Sequence, residues 1–550
     1  MQNISRRAIL ATPAAALAAQ TPVPAFDAAL LKRHDEAVDA LLRRQVMAPQ
    51  RRHHGAIPDE YGIVFPHSPA GLLSAGVAAW MTPGSRHHRS GELMGRLRVA
   101  AGWLVRNQLP SGNFDLPTTN FNSPPDTGFV VHSLGGAAVL ARQGGAKEIS
   151  GAIEPVLRRV GAALVAGGVH TPNHRWVVCE ALAQLHELFG EAAYVKRIDQ
   201  WLAEGVDIDG DGQYNERSTT IYNAVTDRAL LVMALKLKRP ELLTPVRRNL
   251  EAMLWLQHAD GEVVTEISSR QDANERGDMR RYWFPLRMMA LRDGDGRFAT
   301  LAERYEAEQA SLPLYLEYPE LRAALPARAA LPEDYRRRFE ALGITRIRRG
   351  EVSATVIGNG NSRVFTLRNG GCVINAVRFA TAFFGKGQFI PDSFADEGMT
   401  MRQSMEGPYY QPFTPARAVG AREWGSTRGG RARSEVCAME YEVRVREQGR
   451  VFEVEMSAAG TNDVPLAIEV SVREDAEIHG VAPAPNAPEA FLLERGEAVV
   501  RQGGRAIRFG PGVGDHRWVR LRGALPQLPG QSVYLCGVTP FRRVLRFECL

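Results

Sequence analysis

Two short stretches of this 550-residue chain hold residue types suited to proton transfer beside a carboxylate. The first is Thr171-Pro172-Asn173-His174-Arg175-Trp176. Proline favours the first position of a helix, so Pro172 sets a loop before one and leaves Asn173, His174 and Arg175 around its N-terminus. Free N–H groups and the helix dipole favour an anion there. Asn donates to a carboxylate, Arg neutralises it, and His exchanges a proton near neutral pH. The structural alternative makes Asn173 a helix cap and His174 a solvated surface residue. The second stretch runs from Glu216 to Asn223, with Asp227-Arg228 one to two turns further on. Its Tyr222 follows His174 by 222 − 174 = 48 residues. A tyrosine near cationic or hydrogen-bonding groups can act as a base although its free pKa is about 10. A buried core tyrosine is the alternative.

His132 and Arg280-Arg281-Tyr282-Trp283 are further candidates, the arginines for binding acid groups and the aromatics for stacking on sugar faces. Asp207, Asp209 and Asp211, with Gly210 and Gly212 between and after them, begin like a calcium loop. The twelfth loop position is Ser218, however, and Glu216 falls two residues early. A tight Asp/Gly turn explains the segment better, with structural calcium as a secondary option. No motif calls for another cofactor. In the last third, Phe383–Phe389 and Glu406–Tyr410 are aromatic and Gly-containing, which suits loops facing a ligand or another domain.

These residues need elements to position them, and the texture of the chain changes near residue 340. Before it, apolar residues recur at helical spacing, as in 152–165 and 229–237; after it, alternation dominates in 354–357, 363–367, 440–446, 451–456 and 467–472. Trp-Leu closes a helix three times, at Trp103-Leu104, Trp201-Leu202 and Trp255-Leu256, each ahead of a turn-forming connector. The intervals of 98 and 54 residues point to a unit of about fifty, two helices and a connector. Each connector leads to a helix with a polar or aromatic start: Asp126–His132, Asn173–Trp176, Ile221–Arg228 and Met279–Trp283, with Tyr61–His67 an earlier member. Hairpins repeating in this way curve into a ring, where the same end of every inner helix points into one funnel. An ordinary helical solenoid predicts the repeats without the funnel. The expected organisation is a helical (α/α) toroid over 26–335 and an antiparallel β-sandwich over 340–550.

The formal net charge is +6, and its arginines are compatible with an acidic ligand. No compact basic block with interleaved aromatics signals nucleic-acid binding, and no apolar run reaches the ~18 residues of a membrane span. Arg6-Arg7 before the apolar stretch Ala8–Ala19 reads as a twin-arginine export signal within 1–25, which places the mature protein in the periplasm or outside the cell. Cys179, Cys372, Cys437, Cys536 and Cys549 show no C-x-x-C spacing and read as small core residues, a single bridge in the β part being the alternative.

Taken together, the arrangement resembles the heparinase II/III-like and related alginate lyases, over nearly the whole mature chain. Asn173-His174 and Tyr222 resemble that group's Asn-His pair and catalytic tyrosine. The resemblance implies a toroid plus β-sandwich, no required cofactor, an acidic oligo- or polysaccharide partner, and β-elimination. In that chemistry Asn173 with Arg175 or Arg280 neutralises the uronate carboxylate, while Tyr222 and His174 handle the C5 proton. Those families add a histidine from the sandwich, a part only His479 or His516 could take. Two other classes stay open: a glycoside hydrolase using paired carboxylates from Asp126, Glu180, Glu216 and Asp227, and a non-catalytic glycan-binding protein.

Overall fold

The computed structural model describes residues 26–550 apart from Asp396 and Asn486; the twin-arginine stretch and its apolar run lie outside the described residues. Its helical part is built from α1 (Ala28–Arg44), α2 (His67–Met81), α3 (Gly91–Asn107), α4 (Pro124–Gly144), α5 (Lys147–Ala166), α6 (Pro172–Phe189), α7 (Ala192–Leu202), α8 (Tyr222–Leu237), α9 (Leu243–Trp255), α10 (Trp283–Asp293), α11 (Gly296–Gln309) and α12 (Leu312–Glu317). The even-numbered helices pack on one another in order, α2 on α4, α4 on α6, α6 on α8 and α8 on α10, while α12 returns to α2 and α4 and closes the inner ring. Odd-numbered helices flank them outside.

Burial separates the two sets. Inner α6 buries 13 of its 18 residues, whereas outer α7 buries only Tyr194 and Ile198 of 11. A helix covered on all sides must be apolar or polar-satisfied all round, and an outer helix needs only one apolar stripe. The Trp-Leu pairs fall at the ends of outer helices α3, α7 and α9. Inner helices begin at residues 67, 124, 172, 222 and 283, intervals of 57, 48, 50 and 61. All of these N-termini follow an outer-to-inner connector, so they share one end of the ring.

The connectors contain a recurring turn that only glycine fits. Gly112 and Gly212 sit at φ +95° and +83°. A Cβ there would lie 2.4 Å from the Arg159 carbonyl oxygen on α5 and 2.6 Å from that of Arg248 on α9. Gly212→Ala therefore combines left-handed strain with a backbone collision and should cost about 1–3 kcal/mol. A fall in the unfolding midpoint checks this; an unchanged midpoint would contradict the account.

The segment that begins like a calcium loop is such a turn. Asp209 Oδ1 accepts from the backbone N–H of Asp211 and Gln213, both at 2.9 Å, Asp211 Oδ2 accepts from Leu342 N–H, and Asp207 Oδ1 accepts from Arg175 and Trp176. The three carboxylates thus serve as separate internal acceptors, and among the described residues no group of three or more His, Cys, Asp or Glu side chains gathers as a metal site.

Apart from a two-stranded ribbon, Phe114–Leu116 with Asn120–Ser123, in the connector before α4, the strands form two stacked sheets, one of eight strands and one of ten. Their shared core includes Phe365, Phe379, Phe452 and Phe547, with the Phe365 ring 5.7 Å from Phe452 and 5.6 Å from Phe547. Pairing is antiparallel except that Ala490–Leu492 runs parallel to Gln531–Val538. The first strand, Asp334–Phe339, begins before alternation is legible because three of its six residues are arginines. Two expectations fail here. Glu406–Tyr410 lies inside the strand Thr400–Tyr410 rather than in a loop, and Phe383 and Phe389 are core residues, leaving only Phe384 exposed, against Tyr409. All five cysteines are free.

The ten-stranded sheet packs on the toroid, whose apolar core extends onto Phe339, Leu342, Ile344 and Ile357. Polar contacts fix the register between the two. Glu262 accepts from Arg368 at 2.6 Å and Arg473 at 2.8 Å, both in the sandwich, and from Arg276 at 2.8 Å in its own connector. His258 pairs with Ser353 at 2.8 Å, and Arg217 reaches the Ala341 carbonyl at 2.9 Å.

Candidate active site

At the shared end of the inner helices, Asn173 in the first turn of α6 and Tyr222, the first residue of α8, are linked through Glu216 and Arg270. Asn173 is buried, and its Nδ2 donates to Glu216 Oε2 at 2.6 Å, while its Oδ1 has no partner. Glu216 Oε1 has no hydrogen bond and lies 3.6 Å from Arg270 Nη1. Burial pushes the Glu216 carboxyl above its usual range, against the opposing pull of the Asn173 amide and the Arg270 charge. The residue after it, Arg217, sits at φ +51°, a strained conformation for a side-chain-bearing residue, and its guanidinium donates to the Ala341 carbonyl.

Arg270 ties the cluster together, and nothing in the sequence motifs singled it out. Its guanidinium lies 5.0 Å from the centre of the Tyr222 ring, and its charge acts on both Glu216 and His174. The neighbouring Gln271 donates from Nε2 to the Tyr222 hydroxyl at 2.7 Å. With that oxygen accepting from Gln271, the phenolic hydrogen is free to point elsewhere. Both residues come from the connector between α9 and α10, residues 256–282, far longer than the five residues, 167–171, between α5 and α6. A long polar connector in a regular repeat is the signal that could have found them.

This connector is pinned on both sides. Asp272 accepts from the Thr220 backbone at 3.1 Å and hydroxyl at 2.8 Å, and the Ser269 hydroxyl donates to the Glu216 carbonyl at 2.9 Å. Its other flank holds His258 and Glu262, which are clamped to the sandwich. The sandwich therefore fixes where Arg270 and Gln271 stand.

His174 is buried against His170, ring centroids 4.7 Å apart and edge to face, with Phe129 at 6.2 Å. Burial first, and then the His170 ring, lowers its pKa to about 4. At neutral pH it is an uncharged imidazole, able to accept a proton or a hydrogen bond.

The other expected residues stand apart from this cluster. Arg175 is ion-paired with Asp207 at 2.9 Å and Glu204 at 3.2 Å and lies on the Trp176 ring, so it braces the connector rather than a ligand. Arg280 is held by Asp278 at 2.7 Å and Glu308 at 3.2 Å. Arg281 is exposed. Tyr282 is fully buried and donates to the Thr219 carbonyl at 2.7 Å, so it offers no face to a sugar. His132 contacts Glu180 at 2.8 Å, and Glu180, wholly buried, also accepts from Arg228 at 3.1 Å. The Phe129 ring, 5.3 Å from His132, links this trio to His174. In the sandwich, His516 is bonded to the Gly537 carbonyl at 3.0 Å and His479 lies exposed 3.8 Å from Glu477.

The four carboxylates available to a hydrolase do not form an open pair. Asp126 accepts from Asn120 at 2.9 Å and from Ser123 at the start of α4; Asp227 is fully buried and accepts from the Tyr214 hydroxyl at 2.7 Å; Glu180 is enclosed with His132 and Arg228. Asp227 Oδ2 is without a hydrogen bond but is sealed in the core, whereas the free Oε1 of Glu216 lies against Arg270.

No protein-family model and no curated protein matches the sequence. Solved structures do match in fold. A mutant heparan sulfate lyase from Pedobacter heparinus aligns over 96% of this chain and 83% of its own, with TM-score 0.52 and 10% identity. Chondroitin AC lyase from Streptomyces coelicolor A3, in complex with chondroitin sulphate, aligns over 96% and 80%, with TM-score 0.51 and 14% identity. A Paenibacillus xanthan lyase aligns over 95% of this chain but 57% of its own, with TM-score 0.54 and 12% identity. The helical toroid followed by a β-sandwich is thus the fold of these polysaccharide lyases.

Proposed function

We propose that the protein is a polysaccharide lyase that cleaves a uronic-acid-containing glycan by β-elimination at the end of the toroid where α6 and α8 begin. The observation that carries this reading is the convergence on Arg270 of the Asn173–Glu216 pair and Tyr222. A proton alpha to a carboxylate is acidic enough to remove only when that carboxylate is neutralised. Arg270 suits the neutralising part; Asn173, whose Nδ2 donates to Glu216 and Thr171, holds Glu216 in place, and Glu216, whose burial favours its protonated form, can donate a further hydrogen bond. Tyr222, in its phenolate form, then takes the C5 proton and becomes the neutral phenol. The C5–H electrons form the C4–C5 double bond, the C4–O4 bond breaks, and the proton passes from Tyr222 to O4, which restores the phenolate. His174 serves as the uncharged partner. Periplasmic or extracellular location, read from Arg6-Arg7, belongs to the same proposal.

The product decides the class. Elimination leaves a C4–C5 double bond that absorbs in the ultraviolet, so a screen of uronic-acid glycans should yield an absorbing product with at least one of them. Cleavage giving only saturated products would overturn the proposal in favour of hydrolysis.

The pH profile carries its own expectation. His174 must be uncharged, and its folded pKa of about 4 lies below the ordinary value of 6.5. Activity should therefore persist as pH falls through 6.5 and be lost only as it approaches 4. An acid limb centred near 6.5 in kcat/KM would remove His174 from this role.

A further inference from the structure

Between the strand ending at Tyr410 and its pairing partner, which begins at Arg433, the chain makes a long hairpin loop at the end of the eight-stranded sheet, and nearly every residue of it is exposed. Residues 411–433 contain five arginines, one glutamate and no lysine or aspartate, a net charge of +4. The whole chain carries +6, so the other 527 residues contribute only +2. Charge here is concentrated, not spread.

The arginines are also ordered. The Arg417 guanidinium lies 4.1 Å from the centre of the Phe413 ring, Arg431 lies 4.3 Å from the same ring and 4.4 Å from that of Trp424, and Arg428 sits 6.0 Å from the Tyr410 ring. Arg417, Phe413, Arg431 and Trp424 thus form an alternating stack of cations and rings. Neither Arg417 nor Arg428 has a carboxylate within 4.0 Å among the described residues, whereas Arg433 is paired with Glu406 at 2.6 Å. A guanidinium lying against an aromatic ring loses part of its freedom before any ligand arrives and keeps its N–H edge open for paired hydrogen bonds to a carboxylate or sulfate.

We propose that this arm is a second binding surface for an acidic polysaccharide, separate from the reacting residues, which holds a distant stretch of the same polymer. The proposal rests on the acidic-glycan part of the functional reading and on the charge complementarity of the arm. Single-stranded nucleic acid fits less well, because base stacking needs open ring faces, and Arg417 and Arg431 lie against Phe413 while Arg431 also lies against Trp424. An anionic membrane fits less well because the arm has no amphipathic helix to bury in the lipid boundary.

The test is affinity electrophoresis of the full chain in gels containing hyaluronan, alginate or heparin, each separately, with dextran as the neutral control. At least one acidic polymer should retard the wild type, and Arg417→Ala/Arg428→Ala should raise its Kd tenfold or more while leaving turnover of a short oligosaccharide unchanged. Arg417→Lys/Arg428→Lys keeps the charge without the planar fork and should fall between. Equal retardation of wild type and double variant, no retardation of wild type by any acidic polymer, or equal loss on dextran would each overturn the proposal. So would a loss confined to RNA or to vesicles of anionic phospholipid. If the arm variants lose retention but no unsaturated product forms from any glycan, the lyase reading fails and the arm stands; if elimination proceeds and polymer binding is unchanged, the reverse holds.

Discussion

Tyr222→Phe should lower kcat by about 10²–10⁴, the contribution typical of a positioned proton carrier, with KM nearly unchanged. The variant removes one hydroxyl whose bond is the one received from Gln271, so the stability cost is about 1 kcal/mol. The initial rate of ultraviolet-absorbing product measures the first effect and thermal unfolding the second. Activity within threefold of wild type would take Tyr222 out of the mechanism, whatever the product turns out to be.

Asn173→Ala should cost about 10²–10³ in kcat, the loss usual for one donor to developing negative charge, because it releases the Glu216 carboxyl that Asn173 holds in place for that contact. It also strips Glu216 of its only side-chain hydrogen bond, leaving a buried carboxyl unpartnered at a cost to stability of about 1–3 kcal/mol. The Asn173 amide lowers the Glu216 pKa, so its loss should move that group further up and keep it protonated to higher pH. A pH profile of the variant separates this from a general loss of structure, which would shift no limb. Unchanged kcat together with an unchanged profile would refute the assignment of Asn173.

The ring was legible because its grammar is local. Trp-Leu at outer-helix ends and polar starts on inner helices both recur near fifty residues, and that interval places Asn173, His174 and Tyr222 on one end of neighbouring helices. Register along a repeat says where a residue sits but not what else reaches it. Arg270 and Gln271 arrive from a long connector whose path depends on Asp272, Glu262 and His258, contacts spanning up to 211 residues of sequence. For the same reason Arg175 and Tyr282 look like ligand-binding residues in sequence and are structural in space. Each is spoken for by a partner, Asp207 and the Thr219 carbonyl, that no local pattern announces. In the sandwich, Arg-rich strands such as Asp334–Phe339 hide their alternation because their inward positions, Tyr335 and Phe339, are too few to set a period.

The trio of His132, Glu180 and Arg228 has a consequence for how this ring can evolve. The three stand 48 residues apart, 180 − 132 and 228 − 180, one on each of α4, α6 and α8, as though a single position in an ancestral unit had been copied and then differentiated. Losing Arg228 alone would strip the wholly buried Glu180 of its permanent cation, and losing Glu180 alone would strand Arg228. The first step passes through an uncompensated buried charge, strongly destabilising at about 3–5 kcal/mol, and the second leaves a half-buried guanidinium without its carboxylate, whereas apolar replacements made together can be neutral. Descendants of this chain should therefore keep the trio or lose it as a set, and the layer acts as a ratchet that records which copies of the repeat diverged in concert.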